Sequence, residues 1–150
     1  MKFISSSPYK TANLGLTLAK KTKSGRIFSL FGDLGGGKTV LTKGLARGFG
    51  IKELVSSPTF ILMKVYRVHH GNIKYFCHID LYRLKIPRDI RDIGLHDFLG
   101  RRDTVVVIEW ADKIKKLLTP YHQTVINLSF LGRNSRLITV NKKTPSKKIS

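Results

Sequence analysis

Apolar positions fall into two alternating rhythms along the chain. After Ser7 and Pro8, Tyr9, Ala12, Leu16 and Ala19 recur at helical spacing, and Leu14 and Leu18 widen the stripe. Ser7 supplies a capping hydroxyl and Pro8 a preset φ with no N–H to waste, so the pair predicts a helix start. Gly25 ends this segment, and Ile27-Phe28-Ser29-Leu30-Phe31 follows as a short, nearly all-apolar run, the pattern of a strand buried on both faces. A glycine-rich segment, Gly32 to Gly37, leads into a second helical stripe of Val40, Leu41, Gly44, Leu45 and Phe49, closed by Gly48 and Gly50.

The next part of the chain reads as β-rich. Phe60 to Val68 and Ile73 to Leu84 predict strands joined by a hairpin turn at His69-His70-Gly71-Asn72. Pro87 predicts a helix start, with Ile90, Ile93, Leu95, Phe98 and Leu99 in the helix and Gly100 ending it. Thr104 to Ile108 is a second fully apolar strand, finishing at Glu109-Trp110. A short helix runs through Leu118 to Pro120, and two strands, Thr124 to Phe130 and Arg136 to Val140, flank the turn Gly132-Arg133-Asn134-Ser135. From Asn141 the last ten residues hold four lysines and no core pattern, so one domain over residues 1–140 and a basic, disordered tail over 141–150 are expected.

Strand, glycine loop and helix predict an α/β fold: a P-loop NTPase-like three-layer sandwich with a mixed, largely parallel central sheet and a β-rich half. Gly32-Asp33-Leu34-Gly35-Gly36-Gly37-Lys38-Thr39 satisfies the phosphate-loop pattern G-x-x-x-x-G-K-[ST]. Small residues let successive backbone N–H groups approach phosphate oxygens, and the following helix aims its N-terminal dipole at the same charge. In that role Lys38 bridges the β- and γ-phosphates and Thr39 offers its hydroxyl to Mg²⁺. The flanking strand and helix separate this match from a chance glycine-rich turn.

Few acids are available to complete such a site. Glu109 closes an apolar strand where a parallel sheet points at its ligand, and could accept from a metal-bound water, polarise an attacking one, or simply be a solvated strand end. In His78-Ile79-Asp80-Leu81-Tyr82-Arg83, alternation puts His78, Asp80 and Tyr82 on one face, a poor core face that is either a site or a solvent face. Asp80 could then bind a metal-bound water or position the nucleophile, and Arg83 could neutralise phosphate charge. Within Ser56-Ser57-Pro58-Thr59-Phe60, Thr59 is either a γ-phosphate sensor or a strand opener. Trp110, the sole tryptophan, either packs the core edge or anchors a partner. Cys77 reads as a small buried hydrophobe and the His69-His70 pair as a solvated turn.

Composition changes this picture in one respect. Lys plus Arg number 28 against 9 Asp plus Glu, a net charge of +19, which favours polyanions such as nucleotides, RNA, DNA or an acidic protein surface. A lone cysteine excludes an intramolecular disulfide framework and a Cys-based zinc site, and leans towards a reducing compartment. No window reaches eighteen apolar residues and the first residues lack a long apolar stretch, so a soluble cytoplasmic protein without membrane contact is expected.

Taken together, GDLGGGKT, SSPTF, HIDLYRL and VVVIEW fall in the order and approximate spacing of the TsaE (YjeE) family of small P-loop proteins, which the chain resembles from about Ser7 to Val140. That family acts in making the threonylcarbamoyl-adenosine modification of tRNA. The resemblance implies ATP or ADP binding with Mg²⁺, slow hydrolysis by the isolated chain, and docking on a threonylcarbamoyl-transferase pair of TsaD and TsaB type that ATP turnover resets. It implies that Asp33, Leu34, Gly35, Gly36, Gly37, Lys38, Thr39 and Val40 hold the nucleotide, and that Thr39 and Glu109 hold Mg²⁺. Thr59 then matches a switch threonine, Asp80 an acid tied to hydrolysis, and Trp110 a residue near nucleotide and docking surface. Thr11, in the segment Thr11-Ala12-Asn13-Leu14-Gly15, and Arg133 match the adenine surroundings.

The chain departs from the family pattern at Gly36, often Ala, a mild change that adds flexibility, and after Arg88, where fewer acids occur. The cation excess means either direct tRNA contact or a lysine-rich proteome. Two other classes stay open on the residues alone: a small-molecule kinase, for which Arg88 to Arg102 is the one lid candidate, and a basic RNA-binding module whose phosphate loop no longer turns over. The intact Lys38, Thr39 and Glu109 argue against the second.

Overall fold

A computed structural model describes residues 1–53, 55–56, 63–85 and 90–146. Thr59 and the start of the segment after Pro87 lie outside the described residues. Seven strands form one sheet: β1 (Lys2–Ser5), β2 (Arg26–Gly32), β3 (Met63–His70), β4 (Ile73–Asp80), β5 (Thr104–Glu109), β6 (Gln123–Phe130) and β7 (Arg136–Lys143). Their order is β1-β7-β6-β2-β5-β4-β3. The inner four, β6-β2-β5-β4, are parallel, and the antiparallel partners β3, β7 and β1 lie outside them.

The helices α1 (Pro8–Lys21), α2 (Lys38–Gly48) and α3 (Lys115–Leu118) join the sheet in three layers. Leu14, Ala19, Leu41, Leu45 and Phe49 from α1, α2 and the α2 end pack on Phe28, Leu30, Phe76, Val105 and Val107. The opposite faces of the same strands, Ile27, Cys77, Ile79, Val106 and Ile108, meet Leu95, Leu99, Ala111, Ile114 and Leu118. Being covered on both sides is why β5 is buried at every position and reads as an unbroken apolar run. Cys77 is fully buried, as its setting in the chain suggested.

Ser7 accepts from the Lys10 N–H and Pro8 opens α1, as the capping pattern predicts. Several elements differ from expectation. β1 is additional: four residues carry too little pattern to announce a strand, and it exists by pairing Phe3 with Ile138 across the length of the chain. The hairpin turn contracts to Gly71-Asn72, with Gly71 at φ +57°, because β3 continues through His70. β4 stops at Asp80 rather than Leu84.

Of the helix expected after Pro87, the described part contains a 3₁₀ turn at Leu95–Asp97. Gly94 at φ +76° interrupts the helical path there. β7 runs to Lys143, three residues past the expected strand end, because Asn141, Lys142 and Lys143 pair with Val125, Thr124 and Gln123.

Candidate nucleotide site

Four elements deliver the site to one end of the parallel strands. β2 ends at Gly32, the glycine loop turns, and α2 begins at Lys38. Gly35 and Gly37 hold φ of +74° and +100°, left-handed positions that suit glycine and let consecutive amides face one concavity. Gly36 donates its N–H to the Asp33 carbonyl at 3.0 Å. A Cβ on Gly36 would stand 2.9 Å from that same oxygen, so this loop is shaped around glycine there and the residue does more than add flexibility. α2 starts without a side-chain cap on Gly37 and without an acid in its first turn, so no carboxylate of its own opposes an anion at the positive end of the helix dipole.

Lys38 is 5% exposed, and its Nζ donates to the carbonyls of Gly32 (2.5 Å) and Asp33 (2.8 Å). The ammonium also sits 4.0 Å from the centre of the Trp110 ring. Burial lowers its pKa, while the carboxylates of Glu109, Asp80, Asp33 and Asp112 act to raise it. Trp110 alone among described non-glycine residues has positive φ (+60°), an unusual backbone for so large a side chain. That bend turns its ring back over Lys38 and against Tyr82, 5.2 Å away.

Glu109 lies between β2 and β4, level with Leu30 and Asp80, and is 2% exposed. Its Oε2 accepts from the Thr39 hydroxyl at 2.9 Å. Its Oε1 faces His78 Nε2 at 2.8 Å and accepts from Thr42 at 3.2 Å. An ionised carboxylate offers only acceptors, so His78 presents Nε2–H to it. His78 Nδ1 is buried with no hydrogen-bond partner among the described residues. Asp80 is half-buried at the next strand end and uses Oδ1 to accept from the Tyr82 N–H. Tyr82 itself lies beyond the strand and is exposed, so the polar face continues from His78 only as far as Asp80.

The structure therefore brings Asp33, Gly35, Gly36, Gly37, Lys38, Thr39, Asp80, Glu109 and Trp110 to one place. Leu34 is exposed at the loop tip and Val40 is half-buried on α2. Thr11 sits beside the loop, its methyl 3.7 Å from where a Gly37 Cβ would be, with its hydroxyl engaged by Ser5 at 2.8 Å. Arg133 is exposed in the β6–β7 turn. Three residues along, Arg136 reaches the glycine loop, donating to the Gly35 carbonyl at 3.4 Å while its guanidinium stacks on Phe130. Thr42 and Arg136 are the site residues that pattern reading passed over, since they sit at positions with no motif. His78 was placed on the possible site face but given no role there.

The family model for the threonylcarbamoyl adenosine biosynthesis protein TsaE matches residues 5–138. The chain belongs to the TsaE family. It is 39% identical over 140 residues to the tRNA threonylcarbamoyladenosine biosynthesis protein TsaE of Treponema pallidum, covering 93% of this chain and 99% of that one. The protein of the same name from Bacillus subtilis is 34% identical over 139 residues, covering 93% and 84%. The crystal structure of Bacillus subtilis YdiB superposes with a TM-score of 0.71 at 30% identity, over 93% of this chain and 83% of that one. The family's role in making threonylcarbamoyladenosine in tRNA is thus that of this TsaE-family chain. Among the described residues no helix is long and apolar enough to cross a membrane.

The donor set also bears on the metal this family member would use. No group of three or more His, Cys, Asp or Glu converges among the described residues. One carboxylate and one hydroxyl, 2.9 Å apart beside a phosphate loop, is the sparse oxygen set that suits Mg²⁺ completed by substrate phosphates and water. Thr39 and Glu109 fit that role.

Proposed function

We propose that the chain is a Mg²⁺-dependent ATPase, slow alone, that docks on a threonylcarbamoyl-transferase pair of TsaD and TsaB type and resets it between turnovers. The observation that carries this reading is the Thr39–Glu109 contact at the mouth of an intact phosphate loop, with Lys38 beside it. The loop amides and the α2 N-terminus bind the phosphates of ATP or ADP, and the Lys38 ammonium exchanges loop carbonyls for phosphate oxygens. Thr39 and Glu109 would hold Mg²⁺, which supplies charge neutralisation to the β- and γ-phosphates.

Asp80, level with Glu109 on the neighbouring strand, orients the attacking water and receives its proton. The Thr11 segment borders the nucleotide's far end, and Thr59 belongs to the switch. Trp110 and the exposed Leu34, beside the loop, report nucleotide state to the docked pair.

The test is Mg²⁺-dependent ATP hydrolysis by the purified chain, with and without the transferase pair from the same organism. Slow turnover that rises with the pair and falls in Glu109→Ala is expected. Lys38→Ala should lose roughly 10- to 150-fold in ATP affinity, the factor that about 1.5–3 kcal/mol of charge-assisted bonding corresponds to. Unchanged affinity in Lys38→Ala would sink the site assignment, and ADP release that needs a small-molecule acceptor would replace the ATPase with a kinase.

A further inference from the structure

The end of the sheet opposite the phosphate loop carries more cations than acids. β2 begins there at Arg26 and reaches Gly32 after seven residues, so this end lies about 20 Å from the loop. Two grooves meet along Ser24 and Arg26. One, of about 610 Å³, adds Arg101, Arg102 and His122. The other, of about 700 Å³, adds Lys21, Lys23 and Lys142. Gly25 makes the junction possible: its N–H donates to the Arg102 carbonyl at 2.6 Å, and a Cβ there would overlap the Arg101 carbonyl.

The acids are distributed the other way. Asp33, Asp80, Glu109 and Asp112 all act on Lys38 at the nucleotide end. At the basic end Asp103 is held by Arg101 through two bonds of 2.9 Å, and Asp97 acts on the same guanidinium from further away. Lys21, Lys23, Arg26, Arg102 and Lys142 have no carboxylate partner among the described residues. Holding unpaired cations together is unfavourable in isolation, and a polyanion that displaces their counterions relieves it.

We infer that these two grooves bind the phosphodiester backbone of RNA. Of the large exposed apolar side chains among the described residues, only Met1 lines either groove. Ile27, Phe98 and Tyr121 line one groove and Leu18, Phe28 and Val140 the other, but these side chains are buried or half-buried in the fold. A protein partner or a membrane would want exposed apolar anchors beside the cations, and among the described residues Met1 alone offers one. The choice of RNA among polyanions rests on the family's role in tRNA modification, whereas the cationic grooves stand whether or not ATP is hydrolysed at the other end. The distance between the two ends lets RNA and nucleotide bind together.

The test is fluorescence anisotropy of a labelled, unmodified tRNA transcript titrated with the full chain at several salt concentrations. The variant K23Q/R102Q/K142Q removes three exposed cations from the grooves; K43Q/K52Q/K116Q removes three exposed cations elsewhere. Each phosphate contact contributes about 0.7–0.9 to the slope of log affinity against log salt. The groove variant should therefore flatten the slope by about 2 and weaken binding tenfold or more, while the control keeps most of the wild-type slope. The single variants, each expected to lower the slope by somewhat under one, serve if the triple variant melts early. Equal losses in both triple variants, displacement of tRNA by ATP, or tighter binding to phosphatidylglycerol vesicles or polyglutamate than to tRNA would each overturn the inference.

Discussion

Both carboxylate oxygens of Glu109 are engaged: Oε2 by Thr39, and Oε1 by His78 and Thr42. This division matters, because holding Oε1 from behind leaves Oε2 and the Thr39 hydroxyl side by side at the loop. His78→Ala removes one donor and leaves a buried carboxylate oxygen with Thr42 alone, a loss of about 1–3 kcal/mol. The expected outcome is a lower melting temperature and a weaker Mg²⁺ dependence of ADP binding, with ADP affinity in the absence of Mg²⁺ little changed. His78→Gln, which can present an amide N–H to Oε1, should recover most of the Mg²⁺ dependence; a Gln variant as poor as Ala would mean that the ring only fills space.

At this scale the loop and Glu109 at its strand end were legible from local pattern, while Asp80 was legible as a polar strand residue but not as the end of β4. His78 was half legible. Its partner depends on β4 and β5 lying side by side, a long-range pairing that no local pattern encodes. Arg136 shows the same limit, because its reach from the start of β7 to the loop is set by strand register.

At the scale of elements, α1 and α2 cross so closely that glycine is required between them. A Cβ on Gly44 would lie 1.9 Å from the Ala12 carbonyl oxygen, and one on Gly15 2.4 Å from that of Leu41. Gly44→Ala must push α2 outwards, and since α2 carries Lys38 and Thr39 at its start, the phosphate loop moves with it. Overpacking of this kind costs about 1–3 kcal/mol, readable by urea unfolding, and should lower ADP affinity as well. Wild-type stability in Gly44→Ala would show that the crossing has slack. Both helices and all the inner strands were readable from period and breakers; the helix expected after Pro87 was not, because its apolar residues serve turns that cover β4 and β5.

β4 carries a second test at this scale. Burial pushes the Cys77 thiol up to about 12 from an ordinary 9.0. A thiolate fraction of roughly 10⁻⁴ at pH 8 follows, so a thiol reagent should leave the native chain unlabelled and label one site after unfolding. Because the folded state keeps its proton longer than the unfolded state, Cys77 makes stability fall as pH rises from about 9 towards 12. Lys38, whose pKa burial lowers, acts in the opposite sense. The alkaline slope of wild type minus Cys77→Ala isolates the thiol, and identical slopes would contradict its burial.

Across the whole molecule, the two ends of the described chain close the same sheet edge. β1 pairs with β7, Val140 donates its N–H to the Met1 carbonyl at 2.8 Å, and β7 continues to Lys143 along β6. The last three residues of β7, Asn141, Lys142 and Lys143, lie opposite Val125, Thr124 and Gln123, and the Gln123 side chain is buried between the Ser29 hydroxyl and the Leu118 carbonyl. A strand of Asn and two Lys looks like tail from composition, and it is the register with β6, again a long-range fact, that makes it structure. Ending the chain after Val140 strips the β6 edge beside Gln123 of its backbone partners, at about 0.5–1.5 kcal/mol for each hydrogen bond lost. Ending it after Lys143 keeps every described strand pair. The first truncation should lower the denaturation midpoint and speed amide exchange along Gln123–Val125, and the second should match the full chain. Equal midpoints for the two would show that the sheet stops contributing at Val140.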